Sequence, residues 1–87
     1  GKWKASILWQ LAQRTMRFSE LQRRFSDTTR KMLTQQLREL EADGLVHREV
    51  YAQVPPKVEY SLTEKGTSIY PVLEQMCEWG KSFLKET

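Results

Sequence analysis

The stretch from Thr29 to Asp43 carries the pattern that most restricts the fold of this chain. Leu33, Leu37 and Leu40 recur at the spacing of one helical face. Gly44 follows them, where a residue with left-handed backbone conformation would end a helix. We therefore predict a helix over Thr29–Asp43 whose leucines face a hydrophobic core.

Two shorter helices are predicted before this one. Apolar residues recur at helical spacing between Lys4 and Arg14, which predicts the first helix. Ser19 and Gln22 have the spacing of a capping box, so a short second helix is predicted over Glu20–Phe25. The segment between the two is long enough only for a link or a short extra strand near Met16–Phe18.

A β-hairpin and one more helix are predicted after the leucine stripe. Leu45–Tyr51 and Lys57–Leu62 are rich in β-branched and aromatic residues, and the two prolines between them cannot donate to a sheet and so belong at the tip. Thr63 is placed to cap a last helix that runs to about Glu86 and bends near Pro71, where a backbone donor is missing. This order predicts a mainly α fold with a small β-hairpin, a winged helix-turn-helix.

Composition indicates one domain that gains from a partner subunit. With 87 residues, of which 39% are hydrophobic, the chain can form one core, so residues 1–87 are expected to be a single domain. The formal net charge is only +3, so the placement of charges must indicate the partner. A single cysteine excludes an internal disulfide, and no apolar run reaches the roughly 20 residues that span a bilayer. We expect a cytoplasmic protein with no membrane contact, and we expect residues that belong in front of Gly1 to be absent from this sequence.

The side of the third predicted helix opposite its leucines is a candidate contact surface. At 100° per residue, Lys31, Gln35 and Arg38 point away from the leucines, with Arg30 and Thr34 beside them. A polar helix face is most often merely solvated, yet these are the side chains that bond base edges and phosphates in a major groove. Because this helix follows a short helix and a turn and precedes a proline-tipped hairpin, we expect it to contact double-stranded DNA.

Three residues outside that helix are further candidates for DNA contact. Lys57 lies close to the hairpin tip and could meet a phosphate or enter the minor groove, although a solvated lysine is almost as common. Arg17 and Ser19 could hold the DNA backbone where the second helix crosses it, and a capping role alone is the alternative for Ser19.

The last helix, about residues 64–86, is more apolar than one core requires. Apolar residues cover about half of its circumference, whereas one core uses a stripe of roughly 100°. They are Ile69, Val72, Leu73, Met76, Cys77, Trp79, Gly80, Phe83 and Leu84. We expect one edge to serve the chain's own core and the other a second subunit in a homodimer, with a thoroughly buried helix in a monomer as the alternative. Trp3 and Trp9 of the first helix are candidates for the same interface or for ordinary core.

The sequence contains no constellation typical of an enzyme or of a cofactor site. His47 is the only histidine, lies in a predicted strand and has no metal-ligand spacing around it. No glycine-rich phosphate loop and no nucleophile elbow are present. Cys77 lies in an apolar stripe, where a buried small side chain is more common than a redox thiol. We expect no catalytic activity, no metal and no cofactor.

An ordered set of short motifs resembles one known family over essentially the whole chain. The motifs are Gly1-Lys2-Trp3, Arg17-Phe18-Ser19-Glu20-Leu21, Lys31-Met32-Leu33-Thr34, Leu37-Arg38-Glu39-Leu40-Glu41, Asp43-Gly44-Leu45-Val46, Val58-Glu59-Tyr60, Leu62-Thr63, Gly66, Pro71-Val72-Leu73 and Trp79. With them the chain resembles the HxlR-type winged helix-turn-helix regulators of bacteria, relatives of the MarR-like repressors. The resemblance implies a homodimer on a palindromic operator, with terminal helices of both protomers forming the dimer. It also implies that the helix holding Lys31, Thr34 and Gln35 is the recognition helix and that the Pro55–Pro56 hairpin is the wing.

The sequence departs from that family in three places. Members usually carry a segment in front of the motif at Gly1, often with a sensing cysteine. The present sequence contains nothing of that segment, so redox sensing is unsupported, and any small-molecule effector is unidentified. Arg14 stands where many relatives have the glycine that ends the first helix. Thr28 and Arg30 replace what are commonly an apolar residue and a glutamine, which bears on operator preference.

A second class of function uses the same surface. A winged-helix module that docks an acidic protein partner is compatible with a net charge of +3. Thr34 and Gln35 beside cations suit base edges better than a generic acidic surface, which favours DNA.

Overall fold

Residues 2–84 fold as five helices and a small three-stranded antiparallel sheet. The computed structural model describes the backbone of residues 2–84 and the side chains of residues 3–76, 78 and 79. In chain order its elements are α1 (Lys2–Gln13), β1 (Met16–Arg17), α2 (Phe18–Arg24), α3 (Arg30–Ala42), β2 (Val46–Tyr51), β3 (Lys57–Leu62), α4 (Glu64–Ser68) and α5 (Tyr70–Leu84). The predicted mainly α fold with a small β-hairpin is confirmed.

Helix α3 has the boundaries and the buried face that its leucines predict. Its three leucines are at most 1% exposed. The Thr29 side chain caps the helix by accepting a hydrogen bond of 3.0 Å from the N–H of Met32. Gly44 has a φ of 76°, a left-handed conformation that glycine adopts without steric cost, so the chain can turn directly into β2.

Helix α2 begins earlier than predicted, and the capping box assigned to Ser19 and Gln22 is wrong. The helix starts at Phe18, and Arg17 is the capping residue with an extended backbone. The N–H of Arg17 donates to the Glu20 carboxylate over 3.2 Å. Arg17 is also the last residue of β1, so no linker residue separates the strand from the helix. Ser19 therefore lies inside the first turn of α2.

The sheet has the strand order β1-β3-β2, and all of its pairs are antiparallel. Met16 pairs with Tyr60, and both side chains are buried. The short extra strand predicted near Met16–Phe18 is therefore present, although Phe18 itself belongs to α2. The tip residues 52–56, which include both prolines, are exposed beyond the paired strands, as the hairpin prediction requires.

The predicted last helix is interrupted. The Thr63 side chain caps α4 by accepting from the N–H of Gly66 at 3.0 Å, as predicted. The helix then breaks at Ile69, two residues before the bend predicted at Pro71. Proline has no N–H to bond the carbonyl four residues earlier, so the chain starts a new helix, in which the N–H of Leu73 bonds to the carbonyl of Ile69 at 3.0 Å.

One cluster of buried side chains joins these elements, except α4. Its members are Ile7, Leu8, Leu11, Met16, Leu21, Phe25, Leu33, Leu37, Leu40, Val46, Tyr60 and Leu73. Trp3 and Trp9 pack against its edge and are half-buried. In residues 2–84 there is no helix with the length and apolar character needed to cross a membrane.

Candidate nucleic-acid interface

The outward face of α3 forms a shallow, open groove of about 800 Å³, and all of its lining residues belong to this helix. All five residues predicted on this face line the groove: Arg30, Lys31, Thr34, Gln35 and Arg38. Four of the five are exposed, and Thr34 is half-buried. The predicted side of the helix is thus the accessible one, and it presents cations, an amide and a hydroxyl to the same space.

Two polar groups in this groove already have partners within α3. The Thr34 hydroxyl donates to the Arg30 carbonyl over 2.8 Å, so its oxygen remains available as an acceptor. The Gln35 Nε2 donates to Glu39 Oε2 over 3.2 Å, which orients the amide along the helix. The Gln35 amide is therefore held before any ligand arrives.

Glu39 is a residue of the groove that sequence reasoning missed. Its Oε1 lies 2.6 Å from the Nζ of Lys4, so an ion pair joins the C-terminal half of α3 to α1. The hydrogen bonds from Lys4 and Gln35 lower the pKa of Glu39, and the bond to Glu39 raises the pKa of Lys4. The spacing of Gln35 and Glu39 could have indicated their contact, whereas no local pattern connects Glu39 with Lys4.

A second depression, of about 290 Å³, lies between α2, α3 and the hairpin. Four predicted residues, Arg17, Ser19, Arg30 and Lys57, line it together with Phe18, Pro56 and Val58. The structure thus brings Arg17 and Ser19 next to the hairpin residue Lys57, although they are about 40 positions apart in sequence. Because Arg30 lines both depressions, all eight predicted residues belong to one continuous surface.

Aromatic rings orient two of the cations in this depression. The guanidinium of Arg30 lies 4.7 Å from the centroid of the Phe18 ring. The ammonium of Lys57 lies 4.5 Å from the centroid of the Tyr51 ring and 3.6 Å from Glu59 Oε2. Such contacts restrict the long side chains before a ligand binds. Phe18, Tyr51 and Glu59 are contributions that the sequence analysis missed, since they depend on the packing of α3 on α2 and on the hairpin register.

A separate apolar surface lies on α5. Val72, Met76 and Trp79 are 54%, 58% and 61% exposed. Trp3 instead packs edge-on against the Phe25 ring at 5.8 Å, and Trp9 stacks on Tyr70 at 5.3 Å. The two tryptophans therefore contribute at least partly to the chain's own core. The side chain of Phe83, also predicted at the dimer interface, lies outside the described residues.

The arrangement of elements defines the class of this domain. A short helix, a turn and a second helix with an exposed polar face, followed by a β-hairpin beside it, form a winged helix-turn-helix. The profile of the HxlR-like helix-turn-helix family matches residues 1–87, and the chain belongs to that family. The resemblance seen in the sequence is confirmed.

Relatives and solved structures agree with this assignment. A Methanothermobacter thermautotrophicus protein named an uncharacterized HTH-type transcriptional regulator is 55% identical over 83 residues, which are 95% of this chain and 63% of the relative. The crystal structure of the HTH-type transcriptional regulator YtcD superposes with a TM-score of 0.94 at 53% identity, covering 98% of this chain and 87% of YtcD. The redox regulator HypR in its oxidized form superposes with a TM-score of 0.89 at 57% identity, covering 94% of this chain and 84% of HypR. The chain thus spans less than two thirds of the length of the Methanothermobacter relative.

Proposed function

We propose that this chain is the DNA-binding and dimerisation domain of a transcription regulator that binds a palindromic operator as a homodimer. The observation that carries the proposal is the continuous surface through Arg30, on which eight candidate residues from α3, the start of α2 and the hairpin converge. The names of the relatives, which are HTH-type transcriptional regulators, support the same function. Action on DNA would place the protein in the cytoplasm, at the nucleoid.

The two depressions suggest a division of the DNA contacts. Lys31, Gln35 and Arg38 project from the first three turns of α3, the part of a recognition helix that meets base edges in the major groove. Arg17 and Lys57 flank that helix and suit phosphates, which fix position and carry no sequence information themselves. Ser19 and Arg30 lie beside them at the start of their helices. We expect sequence preference to depend on the first group and general affinity on the second.

The exposed face of α5 supports the homodimer. Three large apolar side chains, each more than half exposed, lie within about 60° of one another around the helix axis. A closed dimer with a twofold axis would bury the same patch from both copies. It would also present two α3 helices to the same side of a duplex, about 34–36 Å apart if one helical turn separates the half-sites.

Selection of genomic DNA fragments by the purified chain, followed by anisotropy titration of the recovered sites, tests this function. We expect an inverted repeat and an affinity that falls steeply with rising salt, because phosphate contacts release counterions. Recovery of no common sequence, together with binding that is indifferent to salt, would overturn the proposal. In that case an acidic protein partner becomes the better hypothesis for the same cationic surface.

A further inference from the structure

The outer face of the sheet carries a carboxylate among its cations. Glu59 lies on the central strand β3, directly opposite Arg17 of β1 and opposite Glu49 of β2. Directly opposed residues of antiparallel strands share one face, with Cβ atoms about 5 Å apart. Arg17, which lines the cationic depression together with Lys57, is thus followed across the sheet by Glu59 in the same row of side chains.

Two groups hold the ammonium of Lys57 against this face. Its Nζ lies 3.6 Å from Glu59 Oε2 and 4.5 Å from the centroid of the Tyr51 ring. Both the Lys57 and the Glu59 side chains are only about a quarter exposed. The Tyr51 hydroxyl in turn bonds to the Glu59 carboxylate, which raises the pKa of Tyr51. Lys57 thus has an internal anionic partner in the free protein.

We propose that Glu59 is an internal competitor of the DNA phosphates, which binds Lys57 in the free protein and thereby lowers the sequence-independent affinity for DNA. The proposal rests on the proposed function, since it concerns the same surface. A phosphate can take the Lys57 ammonium only when the ammonium leaves or shares the Glu59 carboxylate. The cationic residue nearest to the wing tip is therefore partly neutralised until a phosphate displaces its partner.

The substitution Glu59→Gln tests this role without removing the side chain. Glutamine keeps the shape and can still accept the Tyr51 hydroxyl, and it removes the like charge opposite Glu49, so we expect the sheet to stay folded. For a duplex of arbitrary sequence, the dissociation constant of the full chain should fall about two- to fivefold at low salt, in keeping with the strength of a partly exposed ion pair. The slope of log affinity against log salt should steepen by up to about 0.9 for each protomer that contacts DNA, because Lys57 then neutralises a phosphate without leaving a carboxylate that has lost its partner.

Two comparisons separate this competition from a general change in charge. Glu49→Gln makes the same charge change on the same face, but Glu49 bonds to His47 at 3.0 Å and is not the partner of Lys57. This control should leave the salt slope unchanged and the affinity within about twofold. In a Lys57→Gln background, Glu59→Gln should no longer improve binding. Residue 57 is then neutral, so Glu59 has no ammonium to withhold from the DNA phosphates.

The possible results discriminate between the inference and the function on which it rests. A gain that persists in the Lys57→Gln background, or an equal gain from Glu49→Gln, overturns the competition. Weaker binding by Glu59→Gln also overturns it and makes Glu59 a residue that holds Lys57 in its DNA-contacting position. If the unsubstituted chain binds no duplex at low salt, the proposed function itself fails, whereas binding that Glu59→Gln leaves unchanged refutes only the role of Glu59.

Discussion

Helices α3 and α5 bury one face each and expose the other, but the exposed faces differ in chemistry. Leu37 of α3 is fully buried and Leu73 of α5 is 7% exposed, so both helices contribute to the same core. The exposed side of α3 carries cations and an amide, whereas that of α5 carries Val72 and Met76. Helical periodicity therefore predicts that each helix packs on the core. Only the exposed side chains indicate which kind of partner each helix binds.

The difference also separates two kinds of association. The α3 face suits a hydrated, charged ligand whose binding weakens with salt. The α5 face suits a second apolar surface, whose burial is nearly independent of salt. A change confined to one face should therefore alter one kind of association first.

The largest effect is expected from Leu37→Ala, which removes the buried side of α3. Leu37 is 0% exposed at the centre of the leucine stripe, so its truncation leaves a cavity and should lower the free energy of unfolding by about 2–5 kcal/mol. Urea denaturation followed by circular dichroism measures this loss. Met32→Ala on the same helix is the matched control, since Met32 is 45% exposed and should cost no more than about 0.5 kcal/mol. Equal losses in the two variants would contradict the assignment of the buried face.

The second effect concerns the outer face of α5. Met76→Glu places a charge in the proposed dimer interface twice, once from each copy. Each methionine that is no longer buried removes about 1.5–3 kcal/mol of the free energy of association. Because the dimer loses two, its dissociation constant should rise by at least about 100-fold, which sedimentation equilibrium can measure. Val50→Glu adds the same charge at another exposed apolar residue, outside α5, and should leave the dimer intact. A stable Met76→Glu dimer would show that this face is not the interface.

The features of the fold that sequence predicted are those that local pattern determines. The leucine stripe of α3, the left-handed Gly44 and the Thr63 cap each depend on residues within about one helical turn. The order of these features sufficed for the winged helix-turn-helix fold. It also sufficed to place the candidate DNA-contacting residues on one side of α3.

The features that sequence missed depend on contacts between distant residues. Ser19 has a good capping side chain, yet the helix starts at Phe18 because Arg17 pairs in the sheet and Glu20 bonds its N–H. The ion pair of Lys4 with Glu39 joins residues that only tertiary packing brings together. Local propensity gives no weight to such contacts, so the exact cap and the charge pairing could not be predicted.

The third effect tests whether α3 reads bases. Gln35→Ala should reduce discrimination against one substituted base pair by about 1–3 kcal/mol, because the amide that would bond a base edge is lost. Competition binding with single-substituted operators measures this discrimination. Lys57→Ala is the contrasting variant, which should weaken all duplexes about equally, since a phosphate contact is independent of sequence. Uniform weakening by Gln35→Ala would assign Gln35 to the phosphate contacts instead.

The smallest effect is a pH dependence that arises on α3 from the pairing of Glu39 with Lys4. Because Lys4 and Gln35 lower the pKa of Glu39 below its ordinary value of 4.5, the carboxylate contributes stability above that value and loses it as the pH falls through the lower pKa of the folded state. Both side chains are partly exposed, so solvent screens the pair and the effect is small. The difference in free energy of unfolding between the unsubstituted chain and Glu39→Gln should therefore be present at about pH 7 and shrink as the pH falls below 4.5. If this difference in free energy of unfolding stays constant on acidification, Glu39 holds α3 against α1 by its shape and by neutral hydrogen bonds. Its negative charge would then contribute nothing to the stability of the fold.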